Sequence, residues 1–432
     1  MACKINGNIL RVCTTKTNGE IIMTSYVLCG GQVLDVDQGV LKSGVEVLVE
    51  NDRIVKVSEQ PITEAGAERI NLGGRTLMPG LVDAHVHVAA TLVDLAENAA
   101  LPSSLIALRS AKIMRDMLMR GFTTLRDLAG ADLGLKLAVD EGAIEAPRLV
   151  ICGKALSQTV GHGDYRARYD NRPLHEARLG SLGRIADGVD EVRRASREEI
   201  KNGAQFIKIM ANGGVASPND PIHVLQYSND EIRAIVEEAE NYGLYVAAHT
   251  YSDASIRRAV ECGVKSLEHC NLITPETARM AAEAGAIACP TLVAYEGLAL
   301  EGANFGLNED SQAKIDTVRR GGLESLAIMR DAGLPMAFGS DLLGQLHKYQ
   351  SMEFSLRASV LTNREVLHSA TRVSAKLCGM ENEIGVIAPG AYADLLIVDG
   401  NPLEDITTLE RHDECLTAIM KGGKFHKNNL PE

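Results

Sequence analysis

His85 and His87 stand two residues apart in the segment DAHVH. Side chains alternate with period two along a strand, so both imidazoles point to one side and could chelate a single metal ion. Two hydrogen-bonded core histidines would explain the same spacing. Lys208 is harder to explain in that way. It lies between Ile207 and Ile209 in FIKIM, a run expected to be covered on both faces. Lysine is rarely buried without a partner, and an unpaired ammonium there would cost several kcal/mol or lose its proton. A neutral amine can take up carbon dioxide as a carbamate, an anionic group on a long stem that could bridge two ions. A lysine reaching a neighbouring Asp or Glu is the alternative. His249 closes YVAAHT, His269 closes SLEHC and Asp341 closes MAFGSD. Clustered imidazoles and an ammonium would repel one another without a metal, or would need many hydrogen bonds. A metal centre is the better reading of the set.

These side chains need elements to hold them. Eight short apolar runs cover residues 80–87, 122–128, 148–153, 206–211, 244–250, 266–270, 286–292 and 336–341. Amphipathic stretches such as SLIALRSAKIMRDMLMRG and DEIRAIVEEAENYG lie between them, several ending in a glycine that reads as a C-cap. The alternation predicts an α/β chain folded as a (β/α)8 TIM barrel, with chemistry at the C-terminal ends of its strands. Strand-like runs also occur at both ends, in YVLCGGQVLDV and VEVLVENDRIVKV, and again in IGVIAPGAYADLLIVDG and CLTAIMKGGKFH. They predict a small β-sandwich domain formed by both chain termini. The expected boundaries are 23–79 and 386–432 for that composite domain and 80–385 for the barrel. Residues 1–22 are polar and aperiodic and read as an N-terminal extension.

Composition narrows the partners. The chain has 432 residues with 44 Lys+Arg against 57 Asp+Glu, a net charge of −13. An acidic protein lacks the basic footprint of a nucleic-acid binder or a polybasic membrane-surface protein. Nine cysteines occur without a CxxC pair, the pattern of reduced thiols in the cytoplasm. No run approaches the ~18 apolar residues of a membrane span, and the first residues lack a signal peptide's apolar stretch. A cytoplasmic protein with no nucleic-acid or membrane partner is expected; a homo-oligomer is left open.

The order HxH, Lys208, His249, His269, Asp341 resembles that of the amidohydrolase superfamily. The segments GGRTLMPGLVDAHVH (73–87) and GVIAPGAYADLLIVDGNPLEDI (385–406) carry the same likeness. More narrowly, GHGDYR (161–166), KIMANGG (208–214) and LEHC (267–270) resemble the imidazolonepropionase-related group, and within it metal-dependent Xaa-Pro dipeptidases (prolidases). The resemblance implies a binuclear site. His85, His87 and Asp341 would hold one ion, His249 and His269 the other, and carboxylated Lys208 with a hydroxide would bridge both. Two Zn2+ ions are expected from the imidazole and carboxylate ligands. The implied reaction is hydrolysis of L-Xaa-L-Pro dipeptides, with Asp341 passing the hydroxide's proton to the leaving nitrogen. Xaa-Lys/Arg dipeptides, N-acyl amino acids or a cyclic amide such as imidazolonepropionate are alternative substrates, and a non-catalytic scaffold is a remote one. His162 and Tyr227, in loops expected after the third and fourth strands, are candidates for holding the substrate's carboxylate, with Arg166 in reserve.

Overall fold

The computed structural model describes residues 24–215, 220–305 and 309–431; the extension expected over residues 1–22 lies outside them. Its centre is built from parallel strands covered by helices. One parallel sheet runs Arg148–Ile151, Phe122–Asp127, Leu81–Val86. The other runs Gly183–Ile185, Ala155–Ser157, Ile207–Met210, Val246–Ser252, Ser266–Leu272, Ile287–Cys289. Every residue of Leu81–Val86 and of Ile207–Met210 is buried, which is why these strands read as continuous apolar runs and not as alternating ones. The short strand Gly183–Ile185 has no counterpart in the sequence reading.

The intervening helices start and stop where local chemistry dictates. Ser228 and Glu231 form a reciprocal capping box at the start of Asn229–Asn241, and Ser252 and Thr274 cap Asp253–Glu261 and Pro275–Glu283. Each cap satisfies backbone donors that the first helical turn leaves open. Glycines expected to end helices do so: Gly121, Gly243, Gly263 and Gly285 all have positive φ.

The eighth apolar run departs from expectation. Residues 336–341 form no extended strand, only a bridge from Met336 to Ala288. The Phe338 N–H turns away to Ser374 Oγ and Ser369 O, at 3.0 and 3.3 Å. That interrupts the ladder. The run still touches both parallel sheets. Ala84 N–H donates to Phe338 O at 2.7 Å, Ala337 N–H to Ala288 O at 2.8 Å, and Asp341 N–H to His85 O at 2.8 Å.

The chain ends supply two further sheets. One is four-stranded, in the order Arg53–Ser58, Glu46–Glu50, Ser25–Cys29, Glu68–Asn71. The other joins Lys424–Asn428, Leu416–Lys421 and Leu395–Val398 to Thr76–Pro79, Gln32–Asp35 and Val40–Ser43. Leu28, Val47 and Val49 of the first share one apolar cluster with Leu77, Leu395, Ile397 and Met420 of the second. Among the described residues, no helix is long and apolar enough to cross a membrane.

Candidate active site

The six residues expected to bind metal meet at one cavity. His85, His87, Lys208, His249, His269 and Asp341 all line it. Asp341 Oδ1 lies 3.3 Å from His85 Nε2 and 3.1 Å from His87 Nε2. The potential ligand atoms of these three residues lie within 4.8 Å of one another. The His269 ring centroid is 5.0 Å from that of His85 and 4.6 Å from that of His249.

Two features of the backbone set this geometry. Lys208 pairs with Ala247, and Met210 with His249, in the parallel register that brings neighbouring strand ends level. At the rim, regular alternation stops. His269 and Asp341 have φ of 72° and 52°, left-handed values that are uncommon outside glycine and tend to persist at functional sites. The twist at His269 lets consecutive residues Glu268 and His269 both approach His85, which a regular strand would forbid. Gly339 belongs to the same arrangement. A Cβ there would lie 2.7 Å from both Cys289 Sγ and His85 Cβ, so only glycine lets the 336–341 run pass this close.

The far side of most rings is already committed. His85 Nδ1 lies 2.8 Å from Glu268 Oε2, and His87 Nδ1 lies 3.1 Å from Ala129 O. His269 Nδ1 sits 2.8 Å from Thr291 Oγ1 and 3.1 Å from the Tyr295 hydroxyl. Asp127 braces the His87 turn by accepting the N–H groups of Val88, Ala129 and Ala131 at 2.7, 3.1 and 3.1 Å. Burial nevertheless pushes its carboxyl up to about 6. By contrast, Lys208 Nζ and His249 Nε2 are buried with no hydrogen-bond partner. The alternative of a lysine paired to a neighbouring acid is therefore not what the protein adopts.

The charges follow from these surroundings. Burial lowers the Lys208 amine below its ordinary value, despite the pull of Glu268 and Asp341. Burial likewise holds His249 well below the usual imidazole range, helped by His162 and His269. Burial would raise the Asp341 carboxyl, but the neighbouring imidazoles, His85 foremost, outweigh it and keep it well below its usual range. Lys208, His249 and His269 thus favour neutral nitrogens and Asp341 an anionic oxygen, the protonation states that metal ligands require.

Of the three residues expected to touch substrate, one reaches the cavity. His162 lines it, with its ring stacked on His249 at 4.3 Å between centroids and its Nδ1 3.0 Å from Asp220 Oδ2. Gly214 makes room for it, since a Cβ there would fall 1.9 Å from the imidazole. Tyr227 does not line the cavity. It packs into the main apolar core, its N–H donates to Gln158 Oε1 at 2.6 Å, and its hydroxyl is buried without a partner. Arg166 is also absent from the lining, because its guanidinium forks onto the Asp164 carboxylate at 2.7 and 2.8 Å. Three tyrosines missing from the sequence reading, Tyr165, Tyr251 and Tyr295, line the cavity together with Leu95, Leu182, Leu298 and Leu346. Tyr251 follows His249 by two residues, so period-two alternation could have found it. Tyr165 lies within the quoted GHGDYR segment, and no local signal marks Tyr295.

The amidohydrolase family model matches residues 76–425. The chain belongs to the amidohydrolase family and is a metal-dependent hydrolase acting on C–N bonds. A crystal structure described as an amidohydrolase is 51% identical, with a TM-score of 0.92, covering 94% of this chain and 100% of that one. A prolidase crystallised with N-methylphosphonate-L-proline is 49% identical, with the same coverages and a TM-score of 0.92. Ochratoxinase of Aspergillus niger is 33% identical over 369 residues, 81% of this chain and 75% of the relative. The resemblance read from the sequence motifs is borne out.

Proposed function

We propose that this enzyme hydrolyses the peptide bond of L-Xaa-L-Pro dipeptides at a binuclear metal site. The observation that carries the reading is the convergence of four imidazoles, Asp341 and Lys208 on one cavity, with Lys208 Nζ and His249 Nε2 buried and unpartnered. Orphaned buried polar atoms are costly; carboxylation of Lys208 would account for one, and an ion held by His249 for the other. His85, His87 and Asp341 would hold one ion, and His249 and His269 the other. An N/O donor set of this kind suits zinc. Two bound ions supply Lewis-acid polarisation of the scissile carbonyl and a lowered pKa for water.

The chain's own residues do the rest. Asp341 takes a proton at its carboxylate and releases it to the departing nitrogen, which is too poor a leaving group unprotonated. His162, held by Asp220, offers a ring to the substrate's terminal carboxylate. The leucines and tyrosines of the wall exclude water and strengthen electrostatic interactions inside. The leucine side chains of the wall, Leu95, Leu182, Leu298 and Leu346, suit an apolar proline ring at the substrate's C-terminal position.

The proposal includes the architecture. The hydrogen bonds from residues 336–341 to Ala84 and Ala288 support closure of the parallel strands into a (β/α)8 barrel over 80–385. The shared core of the terminal sheets supports a composite β-sandwich of 23–79 and 386–432. The described cysteines, all free, fit a cytoplasmic setting. A panel of L-Xaa-L-Xaa dipeptides and N-acyl amino acids, offered to zinc-loaded enzyme, tests the substrate. Xaa-Pro dipeptides should give the highest kcat/KM. A preference for N-acyl amino acids or Xaa-Lys/Arg would replace the prolidase reading.

A further inference from the structure

Beneath the cavity lies a fully buried ionic network that the reaction outlined above does not use. Glu268 and Arg126 are both 0% exposed. Glu268 Oε2 lies 2.8 Å from His85 Nδ1, while Oε1 accepts from Arg126 at 2.8 Å and from Ser266 Oγ at 2.5 Å. Arg126 spends its remaining donors on Ala84 O at 2.6 Å and on the Tyr245 hydroxyl and Ser266 Oγ at 3.0 Å each. Tyr245 in turn donates to Leu377 O at 2.5 Å. A carboxylate taken wholly out of water persists only with such partners.

Glu268, His85 and Cys289 also lie close enough to form a metal-binding group of their own. The hydrogen bonding argues against that use. Both Glu268 oxygens are already engaged, and burial pushes the Cys289 thiol well above its usual range, away from the thiolate that binds metal.

We infer that Glu268, held in place by Arg126, is a positioning residue that fixes His85 as its Nδ1–H tautomer and so presents the Nε2 lone pair to the ion that His85, His87 and Asp341 would hold. The inference rests on the binuclear reading above. A histidine donating one ring N–H to an anion is held in orientation and made a more basic ligand at the other nitrogen. Here the free nitrogen is the one 3.3 Å from Asp341. The Arg126 guanidinium, 2.8 Å from Oε1 and as deeply buried, is the counter-charge for a carboxylate facing the ring.

Substitution by glutamine makes the claim testable. An amide has one accepting and one donating end. Arg126 requires the acceptor, so the amide N–H would face His85 Nδ1 and force the proton onto Nε2, where it blocks a metal. Glu268→Asp keeps the charge beside Arg126 but is one methylene too short to span both partners. Zinc binding to wild type, Glu268→Gln and Glu268→Asp would be measured by chelator competition in bicarbonate buffer, alongside melting of the metal-free proteins. One zinc equivalent should weaken by roughly 10–100-fold in Glu268→Gln and by less in Glu268→Asp, with the other nearly unchanged. Wild type binding two ions and both variants matching it would overturn this inference alone. Equal weakening of both equivalents, or failure of the metal-free variants to fold, would assign Glu268 a structural role and overturn it too. Wild type binding no zinc would overturn the binuclear reading from which it follows.

Discussion

Replacing Asp341 with Asn separates proton transfer from shape. The side chain sits at φ 52°, a conformation Asn tolerates as well as Asp does, so the turn at the rim should survive. One oxygen can still face His87 and His85, now 3.1 and 3.3 Å from Asp341 Oδ1. The variant loses the negative charge and the capacity to carry a proton to the leaving nitrogen. Removal of a positioned general acid–base slows turnover by roughly 10²–10⁴-fold, or about 3–5 kcal/mol on the barrier. The lost charge should also weaken metal binding, so turnover must be compared per fully metallated chain. The assay is kcat and KM for an L-Xaa-L-Pro dipeptide, with zinc content measured on the same samples. A large fall in kcat with KM changed much less is expected. Near wild-type kcat in fully metallated Asp341→Asn would refute the assignment and require another proton carrier.

Two other substitutions probe separate regions. If His162 reads the substrate carboxylate, wild type should prefer a dipeptide acid over its C-terminal amide, and His162→Asn should narrow that preference; equal loss on both substrates would point to a loop-ordering role through Asp220. Lys421, whose Nζ donates to Ala146 O at 2.7 Å, is pushed down from 10.5 to about 8 by burial and the nearby Arg148 charge. Its folded value lies below the unfolded one, so the stability penalty is complete below about pH 8 and disappears as pH rises through 10.5. That interval is worth about 3 kcal/mol, offset by about 1 kcal/mol for the hydrogen bond, so Lys421→Met should stabilise by roughly 1–2 kcal/mol at pH 7 and lose that gain near pH 10.5. Urea unfolding at the two pH values measures it, and a Lys421→Met variant less stable at both would contradict the argument.

The metal-competent residues were legible because each lies in or closes an apolar run and stands out against it. A lysine flanked by isoleucines, or a histidine ending a buried strand, conflicts with its surroundings unless it has a task. The helices were legible for a different reason, through amphipathic periodicity and the glycines that follow. Residues 336–341 were harder to read, since whether Phe338 donates to a strand or to Ser369 and Ser374 depends on chain far away in sequence. The substrate loops were harder still. Asp164 stands two residues before Arg166, but only the loop conformation folds its carboxylate onto the guanidinium, and Tyr227 turns into the core on a backbone of φ 55°. Glu268 sits in plain view beside His269, yet alternation assigns it to the opposite face. The register instead pairs Glu268 with cavity-lining His249, and the left-handed φ at His269 turns the next imidazole inward as well.

Metal content tests the central claim most directly. Wild type and Lys208→Ala would be prepared side by side with zinc and bicarbonate, and bound metal counted per folded chain together with L-Xaa-L-Pro hydrolysis. A binuclear site bridged at Lys208 predicts two ions per wild-type chain, with metal and activity both lost or sharply reduced in Lys208→Ala. Wild-type protein that holds no metal, and whose hydrolysis does not respond to added zinc or bicarbonate, would contradict it.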